Sequence, residues 1–303
     1  MFQGVVADLS SGDDHQITAA MESELPFPAP KAAGAFYDAV FSVGIERARL
    51  ADADLRVLEV GTGRGVLSAA CFAVKQPRTY LATDIYPALL AELYPRLVQW
   101  STPATQVAVG TLDATTTLNI RSGSINLVQG KGVLHHILDY TEFLVACSRI
   151  LDRPGAIVFT EPLFDGWLYF VSMIQVIEHL DERKALKVAL SAQSRKKLMQ
   201  RRTSLSLKLK KQGDLEYLKQ FGDMDKHIFS VSDFDNVSRR TGMHWFLIRD
   251  QRDIRAQMMR SFKRLLQTPE ELAAIEDVIS STTPSWPNNA LFTDLRAGIC
   301  FHW

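Results

Sequence analysis

Short apolar runs alternate with longer amphipathic stretches through the first half of the chain. The short runs are rich in Val, Leu and Ile and predict strands of a sheet that is covered on both faces. The stretches between them repeat apolar residues at helical spacing and predict helices. The predicted strands are residues 56–60, 79–83, 105–109, 124–129 and 156–160. The predicted helices are residues 32–50, 66–75, 87–100 and 143–151.

This alternation predicts an α/β fold, because parallel strands are joined by right-handed crossover helices. The carboxyl ends of parallel strands lie along one edge of the sheet, and ligands of such folds bind there. We therefore expect the functional residues where the predicted strands end. Within helix 87–100, Pro95 predicts a break or a kink, because proline removes a hydrogen-bond donor.

The pattern changes after residue 162. An aromatic and aliphatic stretch that begins at Phe164 predicts a helix, and residues 183–211 predict an amphipathic helix that is rich in Lys and Arg. The strand and helix pattern resumes at Val231, with a helix that is N-capped at Ser232. The remaining predicted elements are a strand at 244–249, a helical insert at 252–290 and a last strand at 295–303.

A glycine-rich turn follows the first predicted strand. Residues 56–65 have the sequence RVLEVGTGRG, which predicts a strand, a tight turn and a helix start in that order. Glycines at alternate positions leave backbone N–H groups bare, and the N-terminus of the following helix favours negative charge. We interpret the turn as a nucleotide-type cofactor site, with an ordinary tight loop as the alternative. A dinucleotide fingerprint would need glycine where Val66 stands.

Residues 57–65 resemble the first motif of the class I S-adenosylmethionine-dependent methyltransferases, V-L-E-x-G-x-G-x-G. The resemblance extends over residues 55–162, with further segments in the order and spacing of the family. These segments are the strand-ending Asp84, GTLDA at 110–114, GKGVLHHILD at 130–139 and SRILDRPGA at 148–156. Two positions depart from the family pattern, since Asn126 replaces the usual Asp and Ala156 replaces a glycine.

The resemblance implies a Rossmann-like α/β fold. Such a fold has a seven-stranded, mostly parallel sheet with helices on both faces, and here it carries helical lid inserts. The implied division of the chain is an N-terminal arm and helix at 1–54, a cofactor-binding core at 55–162, a first insert at 163–230 that forms the lid or substrate region, and the end of the sheet at 231–303 with a second insert at 252–290.

The resemblance also implies S-adenosylmethionine as the cofactor. Asp84 would accept the two ribose hydroxyls, with an exposed strand-end acid that has no role as the alternative. Asp113 would meet the adenine, with a loop or capping acid as the alternative. The implied cofactor-binding residues are Glu59, Gly61, Gly63, Gly65, Asp84, Ile85, Asp113, Ala114, Gly130 and Lys131.

In methyl transfer, an in-line displacement, the enzyme mainly positions two atoms and excludes water. A base is needed only where the acceptor brings its own proton. Our candidate catalytic residues are His135 and His136, with Lys131 and Glu161 nearby. His136 aligns with the recurrent histidine of the family, which favours a structural hydrogen bond, so we expect His135 to face the acceptor. Tyr37 either closes over the cofactor or packs in the core.

The composition narrows the functional classes. The 34 basic and 34 acidic residues cancel, so the net charge of the chain does not indicate binding to nucleic acid or to a membrane. Cys71, Cys147 and Cys300 lack metal-site spacing and indicate buried thiols in a reducing compartment. We expect no metal. We see no secretory signal and no apolar run long enough to span a bilayer, so we expect a cytoplasmic protein.

The predicted function is transfer of a methyl group to a small-molecule acceptor in secondary metabolism. The Lys and Arg residues of 183–211 motivate an alternative, in which they dock a carrier-protein-bound or nucleic-acid substrate. A solvated helix face is the simpler interpretation, and it disfavours nucleic acid as a partner. A non-catalytic cofactor-binding protein is a third hypothesis, which the intact glycine turn and Asp84 disfavour.

Overall fold

The computed structural model describes residues 30–114, 118–212, 214, 216–217, 226–248, 254–282 and 295–303. The strands are β1 Arg56–Val60, β2 Thr79–Asp84, β3 Gln106–Thr111, β4 Ile125–Lys131, β5 Leu151–Pro162, β6 His244–Ile248 and β7 Arg296–His302. The helices are α1 Pro30–Tyr37, α2 Val43–Arg47, α3 Val66–Val74, α4 Pro87–Trp100, α5 Tyr140–Ile150, α6 Phe164–Glu182, α7 Ala192–Lys211, α8 Val231–Thr241, α9 Ile254–Phe262 and α10 Pro269–Thr282. The strands form one sheet in the order β3-β2-β1-β4-β5-β7-β6. The predicted Rossmann-like α/β fold, with helices on both faces of the sheet, is confirmed.

Strands β1 to β5 are parallel, and their registers bring their carboxyl ends together. Val60 at the end of β1 pairs with Thr83 on one side and Gly130 on the other. Strand β7 is antiparallel to both of its neighbours, β5 and β6. Because of this reversal, Arg296 at the start of β7 pairs with Pro162 at the end of β5, and so lies at the same edge.

Alternate residues of the central strands face opposite sides of the sheet and bury two separate cores. Leu58 and Val128 belong to one hydrophobic cluster, whereas Val57 and Leu127, one residue earlier on the same strands, belong to the other. All four side chains are fully buried. The sheet is therefore a rigid base from which the loops at its carboxyl edge are presented.

Helices α6, α7, α9 and α10 form a cap with an apolar core of its own. Phe170, Leu198, Phe262 and Ile275 are fully buried in this third cluster. The chain enters the cap from the end of β5, and Leu295, the residue before β7, is buried in the apolar core of the cap. The cap is therefore held at the carboxyl edge of the sheet by its own connections.

Strands β3 and β4 run two residues further than the sequence predicted. Gly110 belongs to β3, and Gly130 and Lys131 belong to β4, whereas the sequence analysis ended these strands at residues 109 and 129. Packing requires a glycine at position 130 of β4, because the ring of Phe159 on β5 occupies the space that a Cβ would need. Both strands therefore reach further into the ligand edge.

Helix α4 runs through Pro95 without a break, because Pro95 lies on the exposed face, where the carbonyl that loses its partner can bond to water. Two predicted helix starts were wrong. The basic helix begins only at Ala192, because Ser191 caps it there. Helix α8 is capped by Ser230, in a capping box with Asp233, and not by the predicted serine two residues later.

The helix predicted at 32–50 is present as α1, a π-helical turn at Asp38–Ser42, and α2. The predicted arm before residue 30 and both ends of the second insert lie outside the described residues. Among the helices that are described, none combines the length and the apolar character that a bilayer crossing needs.

Candidate active site

The glycine turn between β1 and α3 adopts a backbone that residues with side chains rarely take. Gly61, Gly63 and Gly65 have φ angles of +65°, +48° and +72°. Two of them are also fixed by packing, since a Cβ on Gly61 would lie 2.5 Å from Val133 Cγ2 and one on Gly65 would lie 2.5 Å from Leu93 Cδ1. The turn therefore has one backbone shape, with Gly63 at its centre.

Glu59 lies beneath this turn and points into the protein. Its carboxylate accepts hydrogen bonds from Ser68 Oγ at 2.6 Å and from the Tyr80 hydroxyl. Burial raises the pKa of Glu59 to about 7, although these hydrogen bonds work in the opposite direction. With 1% of its surface exposed, Glu59 supports the turn from below and offers a ligand almost no surface. Its role as a cofactor contact stays a prediction.

Asp84 ends β2 directly beside the turn. Its Oδ2 accepts the N–H of Gly63 at 2.7 Å, and its Oδ1 accepts the N–H of Tyr86 at 3.1 Å. Burial raises the pKa of Asp84, and the backbone N–H groups of Gly63, Tyr86 and Ile85 oppose that rise. Because Asp84 is buried and hydrogen-bonded, it is not the exposed strand-end acid of the alternative interpretation.

The remaining predicted cofactor residues follow the same edge of the sheet. Ile85 is half-buried after β2, and Asp113 and Ala114 are half-buried after β3. Gly130 and Lys131 end β4, on the other side of β1. The strand order places these four strand ends in one continuous row, so the structure brings the predicted residues to a common edge.

His135 and Glu161 form a buried pair beyond the ends of β4 and within β5. His135 Nδ1 lies 2.6 Å from Glu161 Oε2. Glu161 Oε1 accepts the N–H groups of Val133 at 3.0 Å and Leu134 at 2.8 Å, and the side chain is fully buried. When Glu161 is ionised, Nδ1 donates to it, and Nε2 is then the proton-accepting nitrogen of the ring. This tautomer suits a general base.

His136 stands beside His135 and is half-buried, with the two ring centroids 4.0 Å apart. Its N–H closes a short 3₁₀ turn by donating to the Val133 carbonyl at 3.0 Å. The carbonyl of His135 is held from the first insert, where it accepts the N–H groups of Lys226 at 2.7 Å and His227 at 3.1 Å. The loop that carries both histidines is thus fixed by the first insert as well as by the sheet.

A cavity of about 640 Å³ opens beside His135, between the sheet edge and the cap. We call it the cap cavity. Its walls include Lys131, His135, Trp167, Arg201, Arg260 and Arg296. Both inserts contribute, because Trp167 and Arg201 come from α6 and α7 and Arg260 comes from α9. The sequence analysis had not named Arg260 or Arg296 as site residues.

Tyr37 packs in the core, as the second of its two interpretations proposed. Its side chain has no exposed surface, its hydroxyl donates to Gln129 Oε1 at 2.8 Å, and its ring stacks on Phe41 with centroids 5.2 Å apart. It therefore does not close over a ligand. Phe36, one residue earlier on the same helix, lines the cap cavity instead.

Asn126, which departs from the family pattern, lies near the amino end of β4. Its Oδ1 accepts the Arg56 N–H at 2.7 Å, and its Nδ2 donates to the Asp54 carbonyl at 2.9 Å. An aspartate could not donate the second bond, so the amide serves a structural link away from the ligand edge. The departure therefore does not alter the site.

The three cysteines are buried free thiols, as the sequence analysis expected. Burial raises the pKa of the Cys71 thiol to about 12, so it is not a nucleophile near neutral pH. Within the part of the chain that the structure describes, no group of three or more His, Cys, Asp or Glu residues is arranged to hold a metal ion.

A family model described as a methyltransferase domain matches residues 36–268, which is more than half of the chain. A search of curated proteins finds no match. Among solved structures, the chain is similar to a putative methyltransferase in complex with the Trm112 methyltransferase activator of Haloferax volcanii. The TM-score is 0.51 at 15% identity, over 97% of this chain and 99% of that one.

The chain is also similar to an S-adenosylmethionine-dependent methyltransferase from Mesorhizobium loti, with a TM-score of 0.46 and 16% identity over 85% of this chain and 95% of that one. A third similar structure is the CurJ carbon methyltransferase, with a TM-score of 0.43 and 13% identity, where the match covers 83% of this chain but 49% of the other. The chain thus spans about half the length of CurJ. At these identities, the similarity shows the fold alone.

Proposed function

The chain belongs to the class I S-adenosylmethionine-dependent methyltransferases and uses S-adenosylmethionine, and from this premise we propose that it methylates a small molecule of secondary metabolism held in the cap cavity. The observation that carries the proposal is the position of that cavity. His135, paired with a buried carboxylate, lines it at the edge where the predicted cofactor residues end.

The residues around the glycine turn fit the cofactor. The left-handed backbone at Gly63 lets a ligand approach the main chain, and Asp84 beside it offers a carboxylate for the ribose hydroxyls. Asp113, half-buried at the end of the next strand, is placed to meet the adenine. When bound, the cofactor supplies a sulfonium methyl group, which the acceptor takes by in-line displacement with the electron pair left on sulfur.

In this proposal His135 is the general base. Its Nδ1 is held by Glu161, so Nε2 accepts the proton that an acceptor hydroxyl or amine loses as it is methylated. Glu161 stabilises the imidazolium that results, and it is itself fixed by the N–H groups of Val133 and Leu134. His135 then releases the proton to water. The ring is oriented before the acceptor binds, which lowers the cost of reaching a reactive geometry.

The size and lining of the cap cavity support a small acceptor. Ligand pockets for small molecules are typically about 300–1,000 Å³, and the cap cavity is about 640 Å³. Phe36, Trp167, Phe170 and Leu205 give it apolar walls. Such walls exclude water from a reacting sulfonium and position an apolar body.

Binding and turnover experiments test the proposed function. We expect isothermal titration to show one S-adenosylhomocysteine site per chain and no binding of NAD. We expect labelled S-adenosylmethionine to transfer its methyl group to a component of a small-molecule extract. Measurable NAD binding without S-adenosylhomocysteine binding contradicts the assignment. Cofactor binding without transfer to any extract favours a non-catalytic protein.

The basic residues of 183–211 lie in several different surroundings. Arg195 pairs with Asp181 at 2.5 Å, and Arg202 pairs with Glu178 at 2.7 Å, so these charges are balanced within the cap. Arg201 faces the cap cavity. Fewer positive charges of this segment than the sequence suggested are therefore available to bind a carrier protein or a nucleic acid. This supports a small acceptor.

The lysines of the outer face of α7 provide the test of docking. Lys196 is exposed and Lys197 is half-buried. We expect Lys196→Glu/Lys197→Glu to leave turnover of a free small acceptor unchanged at every salt concentration. If the variant loses activity on a carrier-protein-bound or nucleic-acid acceptor, and the parent activity is salt-sensitive, the docking hypothesis replaces ours.

A further inference from the structure

The charged side chains that line the cap cavity are of one sign. Among the described residues, its walls contain Lys and Arg from both inserts and from the sheet edge, and no Asp or Glu. The basic residues are Lys131, Arg201, Lys208, Arg260, Arg264 and Arg296. The whole chain has 34 basic and 34 acidic residues, whereas the described part of the cavity lining has six basic residues and no acidic one.

Helix α9 shows the contrast between the cavity and its surroundings. Arg255, which does not line the cavity, pairs with Glu276 of α10 at 2.9 Å. Arg260 and Arg264, further along the same segment, line the cavity, and within the described residues neither forms an ion pair. The arginine outside the cavity therefore has a carboxylate partner. The two arginines that line the cavity have none among the described residues.

The inner end of the cationic lining lies against the proposed base. A Cβ built on Gly132 would lie 3.5 Å from Arg296 Nη1 and 3.6 Å from His135 Cε1, so both groups approach the same point. Desolvation and the positive charge of Arg296 lower the pKa of Lys131, whereas Glu161 acts in the opposite direction. Lys131 and Arg296 therefore repel each other at this end of the cavity, and a bound anion would relieve that repulsion.

Part of the cavity wall is aromatic. Trp167 is 8% exposed, and its Nε1–H has no acceptor among the described residues. The guanidinium of Arg201 lies over its ring, 5.0 Å from the centroid. The Lys131 ammonium likewise lies over Phe36, at 5.9 Å. Cations lie beside aromatic faces at both places, so the cavity suits an occupant with an apolar body and a negative group.

We propose that the methyl acceptor carries an oxyanion, a phosphate or a carboxylate, on an apolar body, and that Arg260, Arg264 and Arg296 bind this group in the cap cavity. The inference rests on the proposed function, because it gives the acceptor of that reaction its chemical class. Guanidinium groups bind both oxyanions through paired N–H···O bonds. Exposed cations need no partner, but Arg260, Arg264 and Arg296 line one cavity whose described walls hold no carboxylate, and their charges repel one another until an anion binds.

The test uses the full chain saturated with S-adenosylhomocysteine, and three probes that share a benzene ring: phenyl phosphate, benzoate and neutral benzyl alcohol. We expect an anionic probe to bind once per chain, at least about tenfold more tightly than benzyl alcohol. Tighter binding of phenyl phosphate assigns a phosphate acceptor, and binding of benzoate that is as tight or tighter assigns a carboxylate one.

Variants of one segment locate the site. We expect Arg260→Gln/Arg264→Gln to weaken binding of the anionic probe by about tenfold or more, whereas Arg260→Lys/Arg264→Lys, which keeps both charges, loses less. Arg255→Gln is the matched control, because Arg255 lies on the same helix but pairs outside the cavity, and it should bind like the parent. Melting curves identify a variant that fails to fold, and the single variants Arg260→Gln and Arg264→Gln then take the place of the double one.

Several outcomes overturn the inference. One is that neither anion binds more tightly than benzyl alcohol, and another is that Arg255→Gln loses as much affinity as the double variant. A third is that the anions bind only without S-adenosylhomocysteine and that the double variant weakens cofactor binding, which assigns the cluster to the carboxylate of the cofactor. If S-adenosylhomocysteine itself does not bind, the proposed function fails first, so the two failures are distinguishable.

Discussion

At the glycine turn the charged side chains are held by the protein itself, whereas at the cap cavity they face an open volume. Asp84 accepts two backbone N–H groups and Glu59 accepts two hydroxyls. Arg260 and Arg296, by contrast, line the cavity without a carboxylate partner among the described residues. In the first region the charged groups have their hydrogen-bond partners before a ligand binds. In the second region, a bound anion would balance the positive charges.

This difference has a consequence for what each region can tolerate. A preformed turn with left-handed glycines has one backbone shape, so a single added side chain should abolish its function. A cavity walled by long, solvated side chains can adjust, so single changes there should shift affinity by moderate factors. The following predictions test the contrast, and the largest expected effect comes first.

Gly63→Val should abolish cofactor binding while the protein still folds. The added side chain would occupy the space that the main chain offers to the ligand and would disfavour the left-handed backbone at φ +48°. Isothermal titration against S-adenosylhomocysteine measures the loss. Gly110→Ala is the matched control, because a Cβ there makes only an ordinary contact, 3.8 Å from Leu81. Parental affinity in a folded Gly63→Val protein removes the turn from the cofactor site.

His135→Ala should lower turnover by about 10²–10⁴-fold with cofactor affinity unchanged, because it removes the proposed base. His136→Ala should reduce stability and leave turnover close to that of the parent, since His136 lies within the short turn and His135 lines the cavity. Kinetics and melting curves of both variants decide between them. If neither variant loses more turnover than its lower stability explains, catalysis relies on positioning alone.

Glu59→Gln should change how stability depends on pH. Because the pKa of Glu59 rises from 4.5 to about 7 on folding, the folded state keeps a proton that the unfolded state loses. The resulting stabilisation is complete below pH 4.5 and is lost as pH rises through about 7, by at most about 3 kcal/mol. As pH rises from 4.5 to about 7, the free energy of unfolding should fall in the parent but not in the variant, so the difference between the two proteins should shift in favour of the variant. A constant difference, measured by urea unfolding, contradicts the shift.

Asp84→Ala should weaken S-adenosylhomocysteine binding by about 1.5–3 kcal/mol, the scale of hydrogen bonds to a charged group. The variant also leaves the N–H of Gly63 without its acceptor. Asp84→Asn keeps an acceptor for that N–H but loses the charge, so it should fall between the parent and the alanine variant. If Asp84→Ala binds the cofactor as the parent does, the carboxylate only shapes the turn.

The glycine turn and the strand ends around it could be located from the sequence, because their positions are set by local rules. Gly63 and Asp84 each follow a strand directly, and parallel strands bring such positions together. The supporting role of Glu59 could not be predicted, because the sequence does not reveal which face of β1 is covered by Ser68 and Tyr80.

The cap cavity lay beyond sequence reasoning because its residues meet only in three dimensions. Arg201, Arg260 and Arg296 come from separate elements, and no spacing connects them. Arg296 could have been recognised only with the knowledge that β7 is antiparallel, since that reversal puts its first residue at the ligand edge. The division of the chain into core and inserts stays a prediction.

The antiparallel last strand also sets an order of events during synthesis. Strands β1 to β5 emerge from the ribosome first and pair among themselves, whereas β7 must wait for more than a hundred further residues. Until then the outer edge of β5 carries unpaired backbone groups, which are a template for aggregation. We expect the nascent chain to be most vulnerable in that interval, and the acceptor side of the enzyme to be the last part to form.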